Sequence, residues 1–379
     1  MRTFGKVLRW CLVFFLEVAA IATLFVFVRT FLVTRSEPPA QDVRVGAAAP
    51  QLVFAVDSPT EKLPAVFTAN VIAQLQRLHA GLALATADLS PGRAQMVRQL
   101  NAAGIPVTAG LTVPPEQGLY LNASNAPQAA ARFTEFQAWT QQNGLQWARI
   151  GLDIEPSLQE FNAVLGGSPF SAIRALLGHL FDAGAVARAR AQYAALIARM
   201  HAAGYPVETY QFPFLADARK VHTTLLERLF GIVDVHADRE AFMTYTSFHP
   251  SFDSALIWAY APEAQAAAVG STSGDREPGT RFGPLTWDAF VRDVKVASHF
   301  SPVVGVYSLE GCLGRGFLER LETVDWSQPV TIPAAAVAGV EALRARIQSV
   351  LWTLARLPYI AGAILLANLA LAYRRSGSK

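Results

Sequence analysis

Asp153 and Glu155 stand two positions apart at the end of the apolar run Ala148–Ser157, and Pro156 follows them. In an extended strand, alternate side chains share a face. Arg149, Gly151, Asp153 and Glu155 then occupy one face, and Ile150, Leu152 and Ile154 the other. The apolar set must pack under neighbouring elements, which turns the acidic set the opposite way. Two carboxylates on one enclosed face repel and lose hydration, so one of them is expected to have a raised pKa. A carboxyl group that keeps its proton near neutral pH is a general acid. Glu155 is read as the donor and Asp153 as its tuner. The structural alternative is that Arg149 pairs with one acid and neutralises the face.

The elements that must position these acids form a rhythm. Strand-like runs fall at Leu52–Val56, Gly81–Ala87, Ile105–Thr112, Trp147–Ile154, Tyr205–Phe212, Ala241–Ser247, Gln265–Ser271 and Pro302–Leu309. Helical patterns such as PGRAQMVRQLNAAG and ARARAQYAALIARMHAAG lie between them. Ala255–Tyr260 competes for the seventh place but reads better as helix. Strand alternating with helix implies parallel strands joined by crossover helices. NAAGIPV at Asn101–Val107 returns as HAAGYPV at His201–Val207. Gly104 and Gly204 suit helix ends and Pro106 and Pro206 strand starts, as Gly144 suits another helix end. Eight such units predict an α/β fold, a (β/α)8 TIM-like barrel spanning 51–330.

Barrel chemistry sits at the C-terminal ends of the strands. Those ends carry Asp57, Asp88, Asp153, Glu155, Tyr210, Gln211, Tyr245 and Glu310. Cleavage of a glycosidic bond needs an acid and a second group near the anomeric carbon. Glu310 is the candidate partner, and Tyr245 joins the catalytic set. Asp57, Asp88, Tyr210, Gln211 and Arg149 are candidate substrate-binding residues, although Asp57 equally suits a turn cap. Tyr120, Phe170, Phe212, Phe248 and Trp287 also lie near strand ends, where packing explains most aromatics. Pro156–Gly184 is a long insertion, a candidate wall for the cleft.

LDIE at the exit of the fourth strand resembles the D-x-E of family 18 chitinase-like barrels, and MTYTS in the sixth resembles their Met-x-Tyr-Asp. The resemblance implies roles for Asp153, Glu155 as acid, and Tyr245. The longer acidic motif of that family has Ala148 and Gly151 at its first two acidic positions here, and Thr246 stands where an Asp follows the Tyr. Family 25 lysozyme-like barrels are similar at Asp57, Asp153 and Glu155. Both resemblances imply a glycosidase-type barrel.

Other chemistries find less. No G-x-G-x-x-G or G-x-x-x-x-G-K-[ST] occurs, the seven histidines show no metal spacing, and no cofactor or metal is expected. DVHAD, Asp234–Asp238, reads as a polar loop. Gly311–Gly316 with Arg315 permits a phosphate site after the eighth strand, against the simpler reading of a turn. Asn122 heads a formal N-glycosylation sequon. A net charge of +3 without Lys/Arg clusters gives no nucleic-acid signal.

Apolar residues make up 52% of the 379, and charged ones only 16%, because both ends are apolar. Residues 10–33 and 349–373 are read as transmembrane helices, the second borrowing Leu351–Ala355 for length. Arg29, Glu17, Arg356 and Pro358 interrupt them; Glu17 is expected to pair with the other helix. Basic residues at the tips, 1–9 and 374–379, place both in the cytoplasm, opposed by Arg35, Arg44, Arg344 and Arg346. Residues 34–50 and 331–348 are read as linkers. The expected protein is a barrel tethered outside the cytoplasm that acts on an envelope or extracellular polysaccharide. The alternative is a barrel that binds glycan without cleaving it, or scaffolds a membrane protein partner.

Overall fold

The computed structural model describes residues 2–36, 41–46, 48–156, 182–273 and 283–377. Residues 157–181 of the expected insertion, with Phe170, lie outside these. Ten strands follow in order: β1 Val43–Val45, β2 Gln51–Val56, β3 Gly81–Ala85, β4 Val107–Leu111, β5 Arg149–Asp153, β6 Val207–Gln211, β7 Arg239–Met243, β8 Ala266–Gly270, β9 Val303–Tyr307 and β10 Val330–Ile332. β2 to β9 close into a parallel barrel in sequence order, with β9 pairing back to β2. Each expected run overlaps one barrel strand, with β2 starting one residue and β7 two residues earlier than expected, and Ala255–Tyr260 is helical. Gly104, Gly144 and Gly204 all have positive φ at the ends of helices that feed β4, β5 and β6. A residue without Cβ takes that left-handed conformation at no steric cost.

Alternation fixes what the barrel buries. Leu52, Phe54 and Val56 of β2, Leu82 and Leu84 of β3, and Ile150, Leu152 and Ile154 at β5 are all buried. They pack beneath the surrounding helices. The opposite set faces the axis, and many of its members are small: Ala55, Ala83, Ala85, Gly110, Gly151, Ala241, Ala268, Gly270 and Gly305. A Cβ built on Gly305 would stand 3.0 Å from that of Ala268, and one on Gly81 would meet Val53. Barrels usually fill this space with large branched residues. Here Val53, Ala55, Ala83, Ala85, Gly110 and Gly305 remain only half-buried although they point inward. Small side chains thus leave room along the axis that larger ones would close.

The chain divides into two compact units, Ala40–Ala216 with Leu226–Val340, and Met1–Pro39 with Asp217–Leu225 and Glu341–Lys379. Among the described residues, the segments expected to be linkers carry secondary structure. β1 and β10 pair antiparallel, Val43 opposite Ile332, and a helix runs Ala334–Ala355. In the other unit the N-terminal helix spans Arg2–Ser36 and the C-terminal helix Leu357–Gly377. Their stretches Arg9–Arg35 and Leu357–Arg374 are long and apolar enough to cross a membrane, with mean hydropathies of 2.6 and 1.4. The second does not borrow Leu351–Ala355. Pro358 has no N–H to continue the preceding helix, so a new one starts after Arg356. Asn368 donates to Glu17 at 2.8 Å, the expected interhelical partner. Arg344 is buried, and Asp217 accepts from it at 2.9 Å and from Gln348 at 2.8 Å.

Asp88 departs from its expected role. Thr60, the Ser90 N–H and the Arg93 guanidinium all donate to it. Burial would raise its pKa, but these hydrogen bonds outweigh that and hold it well below the usual carboxylate range. Arg93 is fully buried, and it also donates to the carbonyls of Ala85 at 2.7 Å and Ser58 at 3.3 Å. The cluster ties the exit of β3 to the loop after β2. Replacing Arg93 by Ala removes the guanidinium from Asp88 and leaves the carbonyls of Ala85 and Ser58 without that donor. Arg93→Ala is therefore expected to lower unfolding free energy by roughly 3 kcal/mol, measured by denaturant melts of the solubilised chain.

Candidate active site at the barrel mouth

The exit of β5 is held on both sides by backbone. Ile154 N–H donates to Tyr210 O of β6 at 3.0 Å. On the other side the loop after β4 lies alongside: Leu121 N–H donates to Asp153 O and Glu155 N–H to Leu121 O, each at 3.0 Å. This added pairing extends the strand order past Asp153 and fixes where Glu155 leaves the wall. The loop itself is locked by amides. Asn125 donates to Tyr120 O at 2.8 Å and to Gln117 O at 3.1 Å, and its side-chain oxygen accepts from Asn122 N–H at 2.9 Å. Tyr193 Oη donates to Asn122 O at 3.0 Å. Asn122 is 1% exposed and its Oδ1 accepts from Ser124, so the sequon forms a buried turn rather than a glycan acceptor.

Asp153 and Glu155 are half-buried, and protein surrounds both. Both titrate above the usual carboxylate range. Glu155 is raised to about 7 by burial and then by the charge of Asp57. Asp153 is raised well above its ordinary value by burial, then by Glu155 and Asp57. Such a pair gives up its protons as a unit. Arg149 does not neutralise it. As the first residue of β5 it stands about 13 Å away along the strand, at the opposite end of the barrel from the acids. Glu208 and Arg239, also near that end, form an ion pair. The expectation of Arg149 beside substrate is thereby corrected.

Tyrosines enclose the acids. The hydroxyls of Tyr120 and Tyr245 are raised first by burial, then by the nearby acids: Tyr120 by Glu155, Asp153 and Asp57, Tyr245 by Asp153, Glu155 and Asp57, with Tyr307 acting on both. Tyr245 and Tyr307 stack with centroids 5.5 Å apart and planes within 22°. Tyr210 is the register partner of Asp153, and its ring leans over Gly151. A Cβ on Gly151 would lie 2.7 Å from that ring and 3.4 Å from its hydroxyl. The space at the second acidic position of the longer motif, Gly151, is thus filled by a phenol from the next strand. Asp153 Oδ1 and Tyr210 Oη are buried with no hydrogen bond among the described residues. Thr246, after Tyr245, donates to Asp293, a fully buried carboxyl raised to about 7 by burial.

Other expected residues are placed differently. Glu310 Oε1 accepts from the N–H groups of Asp57 and Ser58, each at 3.0 Å, and from Ser58 Oγ at 2.8 Å. It anchors the turn that carries Asp57 from the helix Leu309–Gly314, which follows the neighbouring strand β9. Gln211 is fully buried on the outward face and donates to Val235 O at 2.6 Å. The Gly311–Gly316 segment is no open phosphate loop. Ser308 Oγ caps it, a Cβ on Gly311 would collide with Thr272 and Ser273, and Arg315 lies over Phe317. Asp238, in DVHAD, accepts from Val207 N–H and pairs with His201, and the described residues hold no cluster fit for a metal. Tyr307 is the member that the sequence reading passes over. It shares strand parity with Gly305, which marks it as inward.

The molecule is a (β/α)8 barrel with an acidic, tyrosine-lined mouth. No family model and no curated protein matches the chain. Several solved barrels are similar. A xylose isomerase-like TIM barrel protein from Mycobacterium smegmatis is 12% identical, covering 72% of this chain and 96% of that one, with TM-score 0.39. A family GH18 chitinase from Chromobacterium violaceum is 13% identical over 75% and 85%, with TM-score 0.35. Gas2p of Saccharomyces cerevisiae, in complex with laminaritetraose and laminaripentaose, is 13% identical over 82% and 69%, with TM-score 0.35. Glycoside hydrolases are thus among the similar barrels, and the likeness is one of barrel outline, carrying no residue role.

The raised pKa of Glu155 has a stability consequence. A carboxyl that binds its proton more tightly when folded loses the folded state stability as pH rises from the ordinary carboxylate range to about 7. Glu155→Gln removes that charge. The variant is expected to be more stable than the parent by on the order of 2 kcal/mol at about pH 8 and little different at about pH 4, read from thermal melts at both.

Proposed function

We propose that this chain is a membrane-anchored glycoside hydrolase whose barrel works outside the cytoplasm on an envelope or extracellular polysaccharide. The observation that carries the reading is Glu155, a carboxyl that keeps its proton to about pH 7 at the mouth of the barrel. That is the property needed to protonate a departing glycosidic oxygen near neutrality. Asp153, on the same strand face, holds a second raised carboxyl beside it, and Asp57, just after β2, adds the charge of a third. Negative charge at that position stabilises an oxocarbenium-like transition state. The stacked faces of Tyr245 and Tyr307, and the phenol of Tyr120, offer the apolar and polar contacts that a sugar ring takes up. A substrate hydroxyl would satisfy the unpartnered Asp153 Oδ1 and Tyr210 Oη.

The anchoring part of the reading rests on the terminal helices. Phe15, Phe27 and Leu366 are each more than two-thirds exposed, which water disfavours and lipid does not. Tyr359 and Tyr373 are 79% and 80% exposed and mark the two ends of the second apolar stretch, the places where membrane helices carry aromatic residues. Basic tips on both ends favour a cytoplasmic position for each and an external barrel.

The test uses the full chain in detergent against a panel of envelope polysaccharides, following new reducing ends. The parent is expected to release them, with a rate that falls above about pH 7 as Glu155 loses its proton. Glu155→Gln is expected to lower the rate about 1,000-fold with its fold intact. Undiminished hydrolysis by Glu155→Gln overturns the assignment of the acid. Binding of polysaccharide by the parent without any new reducing ends selects a glycan-holding barrel instead.

A further inference from the structure

Arg29 and Arg356 interrupt apolar stretches and have no part in the barrel mouth. The two terminal helices give them a common level. Asn368 donates to Glu17, and the same twelve residues separate 17 from 29 along one helix and 368 from 356 along the other. In antiparallel helices this register brings Arg29 opposite Arg356. Trp352, one turn before Arg356, lies between them in the literal sense that both guanidinium groups stand over its indole. Arg29 is 5.0 Å and Arg356 4.3 Å from the ring centroid. Phe25 packs against the same indole at 6.2 Å.

Two cations on one ring repel each other, and the quadrupole of the indole offsets only part of that. Among the described residues neither arginine has a carboxylate within ion-pair distance, and Arg29 Nε is buried with no hydrogen-bond partner. Glu17, the acid on the same helix, is about 18 Å away along its axis. Arg356 is fixed by the helix break, where its guanidinium donates to Trp352 O at 3.3 Å. The remaining donors are planar forks suited to the oxygens of a phosphate. Their level is also informative. Leu357 begins the second apolar stretch and Arg29 lies in the last two turns of the first, so the pair stands near the level where a bilayer changes from hydrocarbon to headgroup. Trp352 and Tyr359 are the amphipathic aromatics expected at that depth.

We propose that Arg29, Trp352 and Arg356 form a binding site for the phosphate of an anionic phospholipid headgroup. The site rests on the reading that the terminal helices span a membrane. One phosphate diester oxygen pair accepts from both forks and relieves their repulsion, while the acyl chains lie against the exposed apolar residues of the helices. A zwitterionic headgroup brings its own cation to the same place and is the poorer ligand.

The full chain is purified from membranes and placed in bilayer discs containing equal phosphatidylglycerol and phosphatidylcholine, and the retained lipid is counted by native mass spectrometry. The unmodified chain is expected to retain phosphatidylglycerol at least fivefold over phosphatidylcholine; equal retention overturns the site. Arg29→Gln with Arg356→Gln is expected to abolish the preference, whereas Arg9→Gln, near the start of the first apolar stretch, leaves it unchanged. A preference surviving the double variant overturns the assignment to these residues. If the double variant leaves the membrane fraction, Trp352→Leu takes its place, with loss of preference supporting the site and full retention overturning it. Displacement of the lipid by millimolar inorganic phosphate shows an ion site and overturns the headgroup assignment. Extraction by alkaline carbonate separates the two readings. A chain released by carbonate sinks the membrane reading itself, and a chain that stays but shows no lipid preference sinks only this site.

Discussion

Asp57, Asp153 and Glu155 bring three carboxylates to one mouth, and burial of Asp153 and Glu155 withholds the water that would let that pair ionise beside Asp57. Mutual repulsion in a poorly hydrated hollow is relieved by retaining protons, so Asp153 and Glu155 both stay protonated beyond the usual carboxylate range. Such an arrangement costs stability at neutral pH, and the rest of the fold holds it in place. The Leu121 segment and Tyr210 O clamp the exit of β5 by three backbone hydrogen bonds of 3.0 Å each. Glu310 anchors the turn carrying Asp57 from the helix after β9, and Asp293 holds Thr246 behind Tyr245. Glu310 and Asp293 therefore serve as struts through the hydrogen bonds they accept.

The hollow exists because many inward positions are small. Gly151 and Gly270 let Tyr210, Tyr245 and Tyr307 lie where branched side chains would otherwise fill the axis. Stability is recovered outside, where the alternate residues of each strand are buried under helices. The two faces of one sheet thus divide the work: the outer face packs and the inner face is kept open.

The same trade recurs in the terminal helices. Glu17 meets Asn368 within the apolar stretches, and Arg29 and Arg356 share Trp352 at their edge. Polar groups among apolar neighbours favour one register of the two helices, because only that register pairs Glu17 with Asn368.

Alternation and helix-stop chemistry made the barrel legible from the amino acids. The positive φ values at Gly104, Gly144 and Gly204 and the parity of Asp153 and Glu155 follow from local backbone preferences, which act over a few residues. Both terminal apolar stretches were legible for the same reason, although the break at Arg356 and the helix Ala334–Ala355 were not placed in advance. Partners in space were hidden. That Asp88 is spent on Arg93, Glu310 on Ser58 and Gln211 on Val235 depends on which strands and loops become neighbours, and every one of those residues looks like a site residue in isolation. Tyr120 and Tyr307 join the site only because a loop pairs with β5 and β9 closes onto β2. The sequence by itself determined the periodicity, the strand parity and the residue types available; closure of the barrel decided which carboxylates keep a partner and which keep a proton, since desolvation and charge coupling depend on distances that only the folded chain sets.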